Sequence, residues 1–361
     1  MIARQRLTKP DGRALVLYAR RPFPPIEAAP APGIEPGRDA HLRWHPLLRE
    51  WVVYATHRQN RTFLPSVEND PLAVTIEERR PTELPRGPWE VAVFENLFPA
   101  FTGQAPSPPG AIVETRPAHG VCEVVVFTQE ASGSLGALPL PRVRLVLDVW
   151  ADRTEELGRL PSVAYVFPFE NRGAEVGVTL HHPHGQVYGY PFVPPIAARE
   201  LAAQQAHLEA TGRGLLADHL AAEITDGRRL VYRDESAPAF VPVCARYPYE
   251  VWIAPRRAAP RLPDLTDAER DGVARALKSV LMKYDRLWNR PLPYILVVHQ
   301  APTDGRPHAE AHVHIEIYPA YRLPGRMKYA AASEVGAGVF TGDATPEDQA
   351  RELQDVGIEL T

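Results

Sequence analysis

The chain has 361 residues, of which 45% are hydrophobic and 23% charged; that is the balance of a globular protein with room for two domains, not of a disordered or fibrous chain. A formal net charge of −4 excludes a global basic field for nucleic acid or an anionic membrane, so an anionic small substrate has to be held by local arginines and lysines. The amino terminus lacks the apolar core of a signal peptide and no apolar run approaches spanning length, which predicts a cytoplasmic protein without a membrane partner. The cysteines, Cys122 and Cys244, have apolar neighbours and are expected to be reduced and buried. No CxxC pair exists from which to build a thiolate zinc site. The 39 prolines favour many short strands and turns over a helical bundle.

In chain order, Ala14 to Ala19 reads as a strand, and the Pro/Ala/Gly-rich residues 22–37 as an extended loop. Glu50 to Ala55 is strand-like and ends in the basic cluster His57-Arg58-Gln59-Asn60-Arg61. Residues 64–90 mix proline with acidic residues and read as irregular. Val91 to Phe94 is a strand leading into Glu95-Asn96-Leu97-Phe98-Pro99. The β-branched run Cys122 to Phe127 is a buried strand. Residues 142–160 carry a helical apolar pattern that Pro161 stops, and Val163 to Phe169 is a strand. Helical pattern then runs from Pro195 to Ile224, broken at Thr211-Gly212. Leu230 to Tyr232, Phe240 to Cys244 and Tyr249 to Ala254 read as strands. Thr266-Asp267-Ala268-Glu269 is a capping box opening a helix to about Trp288. Tyr294 to His299 and His312 to Tyr318 are strands, and Pro346 takes the first position of a last helix.

The order helix, strand, histidine-bearing strand occurs twice, over 142–192 and 267–318. This predicts an α+β chain of two like units, residues 1–195 and 196–361, although their mutual sequence identity is weak.

The densest chemistry lies in His181-His182-Pro183-His184-Gly185-Gln186, behind the glycine-punctuated loop Asn171 to Thr179. In an extended segment residues two apart face the same way, so His182, His184 and Gln186 would form one polar row. A neutral imidazole there can attack phosphorus, and its phosphorylated form is a good leaving group. Gln186 could then donate to a phosphoryl oxygen as charge develops, and the loop glycines could bring backbone amides against a phosphate. A metal-binding H-x-H pair and a solvent-facing polar strand are the competing readings of the same residues.

These motifs resemble the galactose-1-phosphate uridylyltransferases of the histidine-triad superfamily. The resemblance rests on Phe169-Glu170-Asn171-Arg172-Gly173, His182-Pro183-His184-Gly185-Gln186 and Phe192-Val193-Pro194. It extends to Arg43-Trp44-His45-Pro46-Leu47, Asn96-Leu97-Phe98-Pro99-Ala100, His299-Gln300-Ala301-Pro302 and Met327-Lys328-Tyr329. It implies two histidine-triad-like repeats, each a mainly antiparallel half-barrel flanked by helices, assembled as a homodimer. It also implies a ping-pong reaction: His184 takes the uridylyl group from UDP-glucose, releases glucose 1-phosphate, and passes the group to galactose 1-phosphate to give UDP-galactose. By position, Gln186 would stabilise the phosphoryl oxygens, while Arg58, Arg61, Asn96, Asn171, Gly177 and Thr179 would hold nucleotide and phosphates. Lys328, Tyr329 and Glu334 would serve the sugar side, in the neighbouring subunit's site. Gly185 resembles the uridylyltransferase branch; relatives that are nucleotide-sugar phosphorylases tend to carry serine there. A UDP- or ADP-sugar phosphorylase, a transferase for another sugar 1-phosphate, and a non-catalytic nucleotide-sugar binder are the alternatives.

The resemblance further implies one structural zinc or iron held by Glu200, His299, His312 and His314, with Glu316 able to replace His312. A second zinc of the family, bound by Cys-x-x-Cys, a later histidine and the first histidine of H-P-H, is expected to be absent. Asp70-Pro71-Leu72-Ala73 and Ala131 stand at the matching positions, leaving only His182.

Overall fold

A computed structural model describes residues 2–30, 33–77 and 79–360. In chain order its strands and helices are β1 (Ala3–Thr8), β2 (Ala14–Ala19), β3 (Ala40–His45), β4 (Glu50–Ala55), β5 (Val91–Glu95), β6 (Thr115–Pro117), β7 (Val121–Val126), α1 (Leu140–Gly158), β8 (Tyr165–Arg172), β9 (His184–Tyr190), α2 (Pro195–Thr211) and α3 (Leu215–Asp226). They continue with β10 (Leu230–Tyr232), β11 (Ala239–Phe240), β12 (Val251–Ile253), α4 (Asp267–Arg286), β13 (Tyr294–His299), β14 (His314–Pro319), β15 (Tyr321–Leu323), β16 (Arg326–Met327) and α5 (Pro346–Asp355).

Eleven strands form one sheet in the order β1-β2-β5-β7-β9-β8-β13-β14-β12-β11-β10, while β4-β3-β6 and β15-β16 form two small ones. Every neighbouring pair in the large sheet is antiparallel. The arrangement is α+β, mainly antiparallel. The two halves meet where Tyr294–Val297 of β13 pair with Arg172–Phe169 of β8, so a single ladder runs through both.

Alternation along the strands sorts the two faces. Val125, Val187, Val166, Leu296, Val298, Ile315 and Ile317 are buried in a common core with Trp150 of α1 and Leu277 of α4. The opposite face carries His184 and Gln186 of β9, and His314 and Glu316 of β14. In the first half that face is covered by β3, β4 and their neighbours, through Leu42, Phe101, Cys122 and Tyr188. In the second half Leu216 and Leu220 of α3 pack on Phe240. Local signals explain the helix ends. Thr266 and Glu269 make a complete capping box at α4, and Gly212 and Gly227 close α2 and α3 in the left-handed conformation.

Several expected elements change. β14 starts at His314 rather than His312, because the backbone just before it binds a loop, Val313 N–H donating to the Ala259 carbonyl at 2.7 Å. The strand expected over Phe240 to Cys244 stops at Phe240, two residues before Pro242, which has no N–H for a ladder. Beyond that point Cys244 is exposed, against the expectation of burial, whereas Cys122 is buried. β1, β3, β6, β15 and β16 were not foreseen.

Candidate active site

β9 lies between β7 and β8, with His184 opposite Val126 and Gln186 opposite both Val124 and Phe169. Because β9 starts at His184, the polar row contains His184 and Gln186 but not His182, whose ring turns into the protein interior. Gly185 between them is dictated by space: a Cβ there would lie 2.8 Å from the Phe169 carbonyl oxygen and 2.8 Å from Cζ of Phe127.

The His184 ring has a defined tautomer. Its Nδ1 is 2.7 Å from the His182 carbonyl oxygen, an atom that only accepts, so the proton sits on Nδ1 and Nε2 keeps its lone pair. Burial lowers the pKa of His184 below the ordinary histidine value; the bond to the His182 carbonyl opposes this without reversing it. A neutral imidazole with a free Nε2 is the nucleophilic form.

His184 and Gln186 line one cavity together with Arg58, Arg61, Asn96 and Thr179. Arg58, on the turn Thr56–Asn60, donates to the Phe98 carbonyl at 3.1 Å and lies 3.5 Å from the Tyr188 hydroxyl. Arg61 donates Nε–H to the Arg58 carbonyl at 3.1 Å. Neither guanidinium has a carboxylate partner among the described residues, and burial together with the Arg58 charge lowers the Arg61 pKa. Two uncompensated cations beside a neutral imidazole fit a phosphorylated ligand. Asn96 Nδ2 approaches Gln186 Oε1 at a long 3.5 Å, while the Gln186 amide hydrogens have no hydrogen-bond partner among the described residues.

Other expected residues lie elsewhere. Asn171 pairs with Ile295 in the ladder, and Gly177 is a left-handed cap of the turn Ala174–Val176; neither lines this cavity. The loop's amides are spent internally, Val176 and Val178 donating to the Gly173 carbonyl and Gly177 to that of Ala174. Lys328 is tied to Glu334 at 3.0 Å and to the Thr341 carbonyl at 2.8 Å, Tyr329 is exposed, and none of the three reaches the cavity of its own chain. His181 is exposed.

Two acidic residues in the irregular 64–90 segment were missed. Glu83 lines the cavity, its carboxylate paired with the buried Lys9 and, at 2.7 Å, with Arg13. Asp70 is buried with its Oδ2 2.7 Å from His182 Nδ1, and His182 Nε2 is 2.9 Å from the Thr128 carbonyl oxygen. No sequence signal marks contacts between residues so far apart. A tetrahedral zinc needs four donors; here Ala73 and Ala131 supply none and the remaining two residues bind each other, so this set does not fit the ion.

The second H-x-H is built differently. Glu200, His299, His312 and His314 line a cavity of about 10 Å³, room for a single small particle. Oxygen and nitrogen atoms of Glu200, His314 and Glu316 lie within 4.8 Å of one another, the one such acidic or histidine group among the described residues. His299 Nδ1 is 3.0 Å from Glu200 Oε2, yet is buried without hydrogen-bond geometry to any acceptor or donor, as is His312 Nδ1. His312 Nε2 is committed to the Pro255 carbonyl at 2.8 Å and His314 Nδ1 to that of His312 at 2.8 Å, which leaves the other nitrogen of each ring for a further partner; for His314 that nitrogen faces Glu316, whose charge raises the ring's pKa. Imidazole nitrogens facing two carboxylates fit a zinc or iron ion.

Comparison with known proteins agrees with this geometry. The family model described as "Galactose-1-phosphate uridyl transferase, N-terminal domain" matches residues 34–194, and its C-terminal counterpart matches residues 200–324. The galactose-1-phosphate uridylyltransferase of Streptomyces lividans is 36% identical, covering 96% of each chain, and that of Thermotoga maritima 34% identical, covering 88% of this chain and 99% of its own. A solved uridylyltransferase superposes with a TM-score of 0.79 at 34% identity, covering 87% of this chain and 97% of the other. An Arabidopsis thaliana ADP-glucose phosphorylase, at 22% identity and a TM-score of 0.67 over 89% of this chain and 100% of its own, shares the fold. The chain belongs to the galactose-1-phosphate uridyl transferase family.

Proposed function

We propose that this protein is a cytoplasmic transferase of galactose metabolism that exchanges a uridylyl group between UDP-glucose and galactose 1-phosphate through His184. The observation that carries this reading is the His184 ring: Nδ1 is held by the His182 carbonyl at 2.7 Å, which frees Nε2 in a cavity with Arg58 and Arg61.

In the first half-reaction Nε2 forms a bond to the α-phosphorus of UDP-glucose as the bond to the bridging oxygen breaks. Glucose 1-phosphate leaves with that electron pair. The ring then carries Nδ1–H and a phosphorylated Nε2, and its positive charge is eased by donation to the His182 carbonyl. Gln186 amide hydrogens and the two guanidiniums meet charge as it develops on the phosphoryl oxygens. In the second half-reaction a phosphate oxygen of galactose 1-phosphate attacks the same phosphorus and Nε2 leaves with its lone pair restored. The backbone acceptor, the His182 carbonyl, keeps one tautomer throughout.

Glu200, His299, His314 and either His312 or Glu316 would hold a zinc or iron ion, which supplies cross-linking of α2 to β13 and β14. Lys328, Tyr329 and Glu334 would complete the site of a second copy in a homodimer. Mixing His184→Ala with Lys328→Ala protein tests that, since only shared sites regain activity in hybrids.

The central test is intact-protein mass spectrometry after brief exposure to UDP-glucose. One added uridylyl group in wild type and none in His184→Ala is the expected result. An unmodified wild-type protein that still turns over would sink the covalent route, and loss of the group with galactose 1-phosphate as well as with glucose 1-phosphate, which reverses the first step, but not with other sugar phosphates, identifies the acceptor.

A further inference from the structure

The 64–90 segment has little regular structure, yet it supplies Pro71, Leu72 and Glu83 to the cavity wall. Asp70 divides its two oxygens within that wall. Oδ1 accepts the Leu72 N–H at 2.9 Å, closing a tight turn, and Oδ2 meets His182 Nδ1 at 2.7 Å. The other His182 nitrogen meets the Thr128 carbonyl at 2.9 Å. Both partners are oxygens, so the ring is held at both of its nitrogens between two loops. The His182 side chain is fully buried, where an unmade bond costs most. Its backbone carbonyl is the acceptor that sets the His184 tautomer.

The second half provides an internal comparison. His312 sends Nε2 to the Pro255 carbonyl just as His182 sends Nε2 to that of Thr128. Its Nδ1, however, is buried with no partner, where His182 has Asp70. The nitrogen that the second half leaves free for an ion is held in the first half by a carboxylate.

We propose that Asp70 is a positioning residue for His184: by clamping His182 between itself and Thr128 it fixes the carbonyl that holds His184 Nδ1–H, and it couples that clamp to the cavity wall through Leu72. This rests on the uridylyl-transfer reading for its effect on rate, but not for its effect on the ring. Where an ion could have tied this segment to the H-P-H strand, a direct carboxylate–imidazole contact does so.

The test compares Asp70→Ala with Asp70→Asn. Asparagine keeps Oδ1 for Leu72 and offers Nδ2–H to a His182 ring that has moved its hydrogen to Nε2, so both His182 bonds survive. Alanine loses both. At saturating UDP-glucose, the first-order rate of adduct formation is expected to fall roughly 10- to 100-fold in Asp70→Ala, with a smaller change in KM, and to stay within about 3-fold of wild type in Asp70→Asn. Nitrogen-15 histidine spectra should show His184 as the Nδ1–H tautomer in wild type and Asp70→Asn, and as a mixture in Asp70→Ala. Should Asp70→Ala fail to fold, Asp70→Ser keeps the turn to Leu72, is too short to reach His182, and is read the same way. An Ala or Ser variant with wild-type rate and an intact Nδ1–H tautomer would overturn the proposal, as would an Asn variant as impaired as alanine. If wild type forms no adduct the transfer reading fails, while the tautomer populations still decide the role of Asp70.

Discussion

His184 and His314 occupy equivalent places in two copies of one local pattern. Each is the first residue of its strand, and each donates Nδ1–H to the carbonyl two residues back, at 2.7 Å and 2.8 Å. What surrounds Nε2 differs. For His184 it is a cavity wall with two unpaired arginines; for His314 it is Glu316 Oε1 at 3.4 Å, with Glu200 nearby. The same backbone device aims Nε2 of one imidazole into a cationic cavity and Nε2 of the other at carboxylates.

The pH dependence of adduct formation follows from the neutral His184. Burial lowers its pKa below the ordinary value, and the reactive form is the deprotonated one. The rate at saturating UDP-glucose should be flat from about pH 8 down to about 6.5, the ordinary histidine pKa. It should decline only below that, by 10-fold per pH unit once the ring is mostly protonated. A rapid-quench series from pH 4.5 to 8.5 checks this; a decline already beginning above 7 contradicts it.

Gly185→Ser should damage chemistry more than stability. The added Cβ would fall 2.8 Å from a backbone oxygen of β8, so β9 must shift, at about 1–3 kcal/mol. His184 and Gln186 flank the shift on both sides. Calorimetry should show a modest drop in Tm, and the adduct rate should fall by at least about 10-fold.

Glu170 is a buried carboxyl whose pKa burial pushes up from the ordinary 4.5 to about 7, with the Tyr294 hydroxyl donating to it at 3.0 Å. A raised carboxyl pKa favours the folded state at low pH, and that contribution is lost as pH rises from about 4.5 through about 7. Glu170→Gln removes the loss. The variant should therefore gain stability relative to wild type between pH 4 and pH 8, by at most about 3 kcal/mol. Paired denaturant titrations at the two pH values read it out, and a difference that does not depend on pH rejects the assignment.

Metal analysis should find close to one zinc or iron per chain, lost in His314→Ala and Glu200→Ala. Stripping the ion should lower Tm by at least a few degrees, since it binds only the folded state. It should leave His184 able to take up a uridylyl group. A stripped protein of unchanged Tm but no adduct would move the ion from structure to chemistry.

Arg61→Ala should raise KM for UDP-glucose about 10-fold or more, the worth of a charge-assisted phosphate contact. The His184 tautomer should be unaffected. Steady-state kinetics together with the histidine nitrogen spectra separate the two effects.

The elements that were legible are those whose cause is local. The β-branched run Cys122 to Phe127, found as the strand Val121–Val126, the Thr266–Glu269 capping box and the Pro195 start of α2 all follow from short-range chemistry. Arg58, Arg61, Asn96, Thr179 and Gln186 were placed through motif resemblance, and the cavity unites them with His184. What stayed hidden depends on distant partners. Asp70 meets His182 across 112 positions and Lys9 meets Glu83 across 74. Cys244 has Val243 and Ala245 as neighbours and reads as interior, but it follows a strand that ends at Phe240 and lies exposed. Apolar neighbours in sequence report a pattern, not a roof.

The β8–β13 ladder bears on what a cut between the halves would do. Four residue pairs, Tyr294 with Arg172 through Val297 with Phe169, join the halves by main-chain hydrogen bonds, alongside the apolar core that α1 and α4 share. A chain severed near residue 195 would leave each fragment with a bare strand edge, the template on which aggregates grow. Expressed together, the same fragments carry complementary edges and would re-form the sheet by strand addition. The seam that marks the repeat is therefore also the place where the protein can be split and reassembled, but not where it can be halved.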